Sequence, residues 1–394
     1  MNILYSLQEV QVASALKCEI AKRVFDSNST ACLMAALDVL GAIVDQPLPD
    51  NAVQFINRMA IEHSDPIPET KDSEAQGKTR DIRIDGRNSV RGHAAMAIQN
   101  LIYHDKSYLA LFDKAVEHLV NDPSLAVRAC AALTLMGVAH HDASRAIILF
   151  QKLVEVNDVL FATDYVQRFI AASLNNHLRA LQPSIERMLA SSNKEVCQAG
   201  GIYSSLARLY HPEADDLVEA ALAGNISCRL GVATVAKDNF LNPNCRVWCE
   251  AKLKLLFFDK ETQIRKTAAN CFWYLWHQPD MRLDQFTELI QTFLASPAFE
   301  EEPTFLLHTL DDTRQRVPDV ILDICEHFVA KCAVQARDIR TAIAADENTV
   351  GKLVFRAYAQ LEAKEERKRT LDLIDQMCEE GLQSTGRYFV EFER

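Results

Sequence analysis

The chain has 394 residues, with 48% hydrophobic and 24% charged side chains, the balance of a folded, water-soluble protein. Its 12 glycines and 12 prolines are about half of average usage, which excludes collagen, turn-rich barrels and sandwiches, and long disordered linkers. With 54 acidic against 42 basic residues the net charge is −12, which excludes general affinity for nucleic acid or an anionic membrane surface.

Helical periodicity begins at once. Leu7, Val10, Ala13, Leu16, Ile20 and Val24 recur every three or four residues, so the spacing predicts a first helix over about 3–25. This segment carries Glu9 and Glu19 and lacks the basic start and apolar block of a signal peptide. Ser29 or Thr30 is placed to cap a second helix through Val44, and Asp50 a third ending near His63. The apolar stretch 31–44 is broken by Asp38 and is too short to span a bilayer. Residues 1–63 therefore read as N-terminal helices, followed by a long polar loop over 64–87 with few apolar residues. The 11 cysteines are scattered through apolar patterns without a framework, as small buried hydrophobes in a reducing, cytoplasmic setting.

From the end of that loop the chain repeats itself, and the repeats predict an array over 88–346 closed by capping helices over 347–394. A small polar residue is followed five positions later by Val or Ile, then Arg, then a small pair. Asp85, Val90, Arg91, Ala94 and Ala95 form one copy, Asp122, Val127, Arg128, Ala131 and Ala132 another, and Asp259, Ile264, Arg265, Ala268 and Ala269 a third. Ser191 starts a copy with the arginine lost, and Asn225 a looser one with Gly231 in its place. The starts at 191, 225 and 259 are 34 residues apart, a period that signals a solenoid of helix pairs. In this reading the polar residue caps the second helix of each pair, the small pair lets helices approach, and the arginine reaches a carboxylate as one rung of a ladder between repeats. The region near 156 and everything after about 293 depart from the pattern.

Three segments, DGRNSVRGHAAMAIQNL, DPSLAVRACAALTLMGV and DKETQIRKTAANCFWYL, resemble the HEAT-repeat family. That resemblance implies an all-α, HEAT-like α-solenoid, a right-handed superhelix of antiparallel helix pairs. The order of IEHSDPIPE, GRNSVRGHAA, FATDYVQRFI and LDLIDQMCEEGLQSTGRYFVEFER is similar to the C-terminal helical-repeat region of large bacterial signal-transduction NTPases of the anti-phage defence type. This second resemblance implies a region that senses a protein partner or holds an oligomer, with the NTPase portion N-terminal to it. A free-standing HEAT adaptor is the alternative. A HEAT-type DNA glycosylase or chromophore lyase fits less well, because the chain is acidic and shows no basic groove pattern.

Motifs that carry chemistry are missing from the sequence. Neither Gly77-Lys78 nor Gly351-Lys352 has the upstream glycine of a phosphate-cradling loop, and no GxSxG or HExxH occurs. Ser191 and Lys194 mimic a penicillin-recognising motif without its companions, and Ser191 already serves the repeat. His140, His141 and Asp142 read as a helix end and the next cap. Cys245 and Cys249 lack a second closely spaced pair for zinc, and the pairs Asp215-Asp216 and Asp311-Asp312 read as solvated turns. The expectation is a non-catalytic chain without metal or cofactor. Two features remain as candidate partner contacts. Lys78, Arg80, Arg83 and Arg87 concentrate positive charge beside the long loop, suited to an acidic partner or phosphate, with an ordinary solvated loop as the competing reading. Trp273, in the run Phe272-Trp273-Tyr274-Leu275-Trp276, falls two and a half turns after Ile264 and so faces away from the partner helix of Ile264. It is placed on the concave side or at a repeat joint, with Trp276 the more buried of the two; packing between repeats is the leading reading of Trp273, and a partner contact the alternative.

Overall fold

A computed structural model describes residues 13–66 and 82–382. All regular structure among them is helical. The chain divides into two compact units, 1–203 with 210–214, and 204–209 with 215–394. In the first unit the helices are α1 (Ser14–Lys22), α2 (Thr30–Gly41), α3 (Asp50–Glu62), α4 (Ile82–Arg87), α5 (Val90–His104), α6 (Tyr108–Leu111), α7 (Asp113–Val120), α8 (Leu125–His141), α9 (Ala143–Val154) and α10 (Asp164–Leu189). Helix α11 (Lys194–Tyr210) contributes residues to both units. The second continues with α12 (Asp215–Ala223), α13 (Ile226–Asn239), α14 (Arg246–Leu256), α15 (Thr262–Ala269), α16 (Cys271–Trp276), α17 (Thr287–Ala295), α18 (Pro297–Glu301), α19 (Thr304–Asp312), α20 (Pro318–Ala336), α21 (Asp346–Gln360) and α22 (Lys364–Glu379). Among the described residues no helix is long and apolar enough to cross a membrane.

Each unit is built in two rows. In the first, α2, α5, α8 and α10 pack in succession, while α3, α7 and α9 pack in succession beside them. The motif explains the close row. Val90, Val127 and Ile264, with the pairs Ala94-Ala95, Ala131-Ala132 and Ala268-Ala269, are fully buried. Two glycines allow close approaches within this row: a Cβ on Gly41 would stand 2.8 Å from Ala97 Cα, and one on Gly137 2.7 Å from the Gln99 carbonyl oxygen. In the second unit α13 packs on α14 and α15, α16 on α19, and α19 on α21.

The ladder exists in a different form from the one the sequence suggests. Asp122 and Asp259 do not cap helices. They stand two residues before the N-caps Ser124 and Glu261, and accept the backbone N–H of those residues at 2.8 and 2.9 Å. Asp85 is not in a turn at all but inside α4, so the segment 64–87 ends in a helix, and Ser89 caps α5 by accepting from Gly92 N–H. Residues 67–81 of that loop, and the predicted first helix up to residue 12, lie outside the described residues. Arg128 finds no carboxylate. It donates to the carbonyls of Asp122, Lys152 and Leu153, the last two at the C-terminal end of α9, where a cation is favoured. Arg265 does pair with a carboxylate, Glu301 at the end of α18, through Nε at 3.0 Å and again through Nη2. Arg91 meets Asp122 at 3.1 Å in a contact where the two side chains are 8% and 0% exposed, and it also donates to the carbonyls of His63 and Pro66.

The common element is the fourth residue after the N-cap, which reaches back to the carbonyl of the preceding turn. Arg128 donates to Asp122, Arg265 to Asp259 and Arg367 to Leu361 at 2.7, 2.6 and 2.9 Å. Gln167 and Cys197 do the same to Phe161 and Ser191. At Asn225 the sequence register is wrong by two residues. Asn225 is itself the N-cap, accepting from Ser227 and Cys228 N–H, and the fourth residue is Arg229, which donates to Gly224 and pairs with Asp259 at 2.8 Å. An asparagine caps directly, whereas Asp122 and Asp259 act two residues earlier, so aligning the polar residues misplaced the arginine. Gln167 and Arg367 also extend the device into the two regions that lack the sequence motif.

Two stability predictions follow from these contacts. Burial pushes the Asp122 carboxyl above its usual range, partly offset by the Ser124 N–H and Arg91. Removing one partner of such a pair strands the other, so Asp122→Ala is expected to cost about 3–5 kcal/mol in urea unfolding. Asp122→Asn, which keeps an acceptor for Ser124 N–H, is expected to cost clearly less. Asp346, 2% exposed and held by the Thr304 hydroxyl at 2.8 Å, has its carboxyl pushed up to about 6 by burial, with His308 opposing and Glu302 adding to the rise. The folded chain thus holds this proton more tightly than the unfolded one. The stabilisation is complete below the ordinary value of 3.8 and is lost as pH rises through about 6. By linkage the loss is at most about 3 kcal/mol, and Asp346→Asn should flatten that part of the pH–stability curve.

Candidate interaction site

The second unit carries a row of ring side chains centred on Trp273. The helix carried from Ile264 to Trp273 in counting their turns is interrupted at Asn270, which separates α15 from α16. In α16, Cys271, Phe272 and Leu275 are buried, while Trp273 is 39% exposed and Tyr274 and Trp276 are half-buried. Apolar side chains on one face anchor the short helix, and the rings of its other face reach the surface.

Those rings are held in place by neighbours about one repeat away. The Tyr274 hydroxyl donates to Asp238 Oδ1 at 2.5 Å, and the Lys237 ammonium lies 5.6 Å from the centre of the Tyr274 ring. Burial, then the Asp238 contact, pushes the Tyr274 hydroxyl up to about 12, so it stays protonated and donates. Trp276 Nε1 donates to Asp312 Oδ2 at 2.5 Å, and its ring stacks on His308 with centroids 4.8 Å apart. His277 links the two tryptophans, at 4.1 Å from Trp273 and 5.1 Å from Trp276. Its Nδ1 lies 2.8 Å from the Trp273 carbonyl oxygen, which only accepts, so Nδ1 carries the proton. Trp273, His277, Trp276 and His308 form a continuous series of rings. Asp312 anchors Trp276 within the series, and Asp238 anchors Tyr274, whose ring meets Trp273 edge-on at 5.1 Å.

Chemically the rings can offer contact area and ring faces to another molecule. Tryptophan and tyrosine held in fixed rotamers give contact area at little entropic cost, and exposed ring faces attract cations and other rings. Asp312, read from sequence as a solvated turn residue, closes α19 and anchors Trp276, while its neighbour Asp311 pairs with Lys352 at 2.7 Å. Asp215, read the same way, stands in the first turn of α12 and pairs with Arg208 at 2.7 Å. Asp238, Asp312 and His308 carried no sequence motif. The signal that was available is a spacing, since Asp238 precedes Tyr274 by 36 residues and Asp312 follows Trp276 by 36.

The basic segment is a separate matter. Lys78 and Arg80 lie outside the described residues. Arg83 and Arg87 fall on α4, with Arg87 exposed, and both belong to the first unit while Trp273 belongs to the second. Nucleophile chemistry is opposed by burial at several thiols: it pushes those of Cys130 and Cys332 up to about 12 and raises those of Cys249, Cys271 and Cys325 further. Among the described residues no three His, Cys, Asp or Glu side chains gather as a metal-binding group.

No protein-family model matches the chain, and no curated protein matches it. A solved structure of an engineered protein is similar at 12% identity, covering 92% of this chain and 98% of its own, with a TM-score of 0.36.

The exposure of Trp273 generates a direct test. Trp273→Ala is expected to change unfolding free energy by less than about 1 kcal/mol, as surface substitutions do. Phe272→Ala, at the adjacent fully buried position, should cost about 3–5 kcal/mol. Equal losses at the two positions would show Trp273 to be part of the core.

Proposed function

We propose that the chain is a non-catalytic protein-interaction scaffold, a HEAT-like α-solenoid whose contact surface includes the ring series around Trp273. The observation that carries this reading is the series Trp273–His277–Trp276–His308, exposed at Trp273, anchored by Asp312 at Trp276 and flanked by Tyr274, which Asp238 anchors and which meets Trp273 edge-on. Core aromatics need no such exposure, and passive surface rings need no such anchoring. The two-row packing within each unit and the repeated arginine contact support the solenoid part. The resemblance to the C-terminal regions of bacterial defence NTPases supports a sensing role within a larger assembly, with its NTPase portion or a separate protein as the partner.

Placing a photo-crosslinking amino acid at position 273, and at Ile339 as an equally accessible control (Ile339 is 92% exposed), tests the surface in the native host. A discrete crosslinked protein at 273 alone, lost when Trp276→Ala is added, is the expected result. Crosslinks that are absent, or the same at both positions, would overturn the assignment. The purified chain is also expected to release phosphate from ATP or GTP only at background rate. Turnover that survives repurification and disappears on substitution within the chain would refute the non-catalytic reading.

A further inference from the structure

A second site, independent of the ring series, lies in the first unit. Tyr103, His140 and His177 follow one another at intervals of 37 residues and line one cleft of about 300 Å³ between α5, α8 and α10. The Tyr103 and His140 rings stand 4.5 Å apart with a 32° tilt and form a wall. Phe169, fully buried and stacked on Phe150 at 4.5 Å, supports the base, and Ala139 and Ala172 leave the floor flat.

The helix is broken at this cleft. His177 has φ −133° and ψ 29° in the middle of α10. Pro183 is not the direct cause, because its missing N–H affects the carbonyl of Arg179 rather than residue 177. The backbone around the break is held from outside, with His211 Nε2 2.8 Å from the Asn175 carbonyl oxygen. Asn176 and His177 at the break both line the cleft, together with Gln99.

Polar capacity and charge define what fits. The side chains of Gln99, Asn176 and His177 form no hydrogen bond to another described residue, so their donors and acceptors are available to a ligand. No lysine, arginine, aspartate or glutamate lines the cleft. A ring wall with two free carboxamides suits a planar heterocycle that presents adjacent donor and acceptor atoms. Carboxamides pair in this way with the N6/N7 edge of adenine, and stacking of a base on an aromatic side chain is favourable for any base. The absence of a cation leaves phosphate uncompensated.

We propose that this cleft is a binding site for an adenine nucleoside, the base stacked on Tyr103 and His140 and its edge read by Gln99 and Asn176. Calorimetric titration of the full chain with adenosine, AMP and ribose tests it. Adenosine is expected to bind saturably below millimolar concentration, AMP more weakly, and ribose not at all. His140→Ala and Asn176→Asp, both at exposed positions, should each weaken adenosine at least tenfold while circular dichroism stays unchanged. No saturable adenosine binding up to several millimolar, AMP binding tighter than adenosine, or full affinity in both variants would each overturn the proposal.

Discussion

At six helix starts among the described residues a side chain four residues past the N-cap turns back to the carbonyl of the preceding turn. Arg128, Arg265 and Arg367 make this contact with a guanidinium, Gln167 with an amide and Cys197 with a thiol. The turn carbonyl is an acceptor that burial would otherwise leave unsatisfied, and that cost is comparable to a lost hydrogen bond. A guanidinium does more, because its remaining donors reach the next element. Arg229 reaches Asp259 in the following turn, Arg265 reaches Glu301, and Arg128 reaches the end of α9. Asp259 in turn fixes the start of its own helix through Glu261 N–H and supplies the turn carbonyl to Arg265. In this way one repeat boundary is tied to the next by charge-assisted bonds.

The same logic explains why rings can stand at the surface of α16. Once the small pairs have brought the close row together, positions about 36 residues apart come within hydrogen-bond reach at its edge. Tyr274 reaches Asp238 and Trp276 reaches Asp312. Aromatic side chains placed there are fixed by polar edges rather than by burial. Packed helices therefore provide ordered rings with free faces, which a single isolated helix does not.

The first unit uses the register differently. Its edge positions hold Tyr103, His140 and His177, and the local break in α10 opens space beside them. His141, one residue past His140, and His211 bond the carbonyls of Ile102 and Asn175 instead. Neighbouring histidines therefore divide between holding backbone and lining a cleft, a division set by which face of the helix end each occupies.

The helical class and the burial of the Val and small-small positions of the motif were legible in the sequence. They depend on composition and on a period of 3.6 residues, which neighbours in the chain impose on one another. The role of the acidic residue before each helix was not legible, because Asp122, Asp259 and Asn225 look equivalent as letters while one caps directly and the others act two residues earlier. That offset hid Arg229, and the absence of arginine at Gln167 hid the copy there, whereas the copy begun at Ser191 was legible despite its cysteine. The break at Asn270, the anchoring of Trp276 by Asp312 and the meeting of Tyr103 with His140 were decided only when helices packed. Each brings together residues in different helices or depends on packing around a short one, and those distances are set by side-chain volume across the whole layer rather than by any local preference.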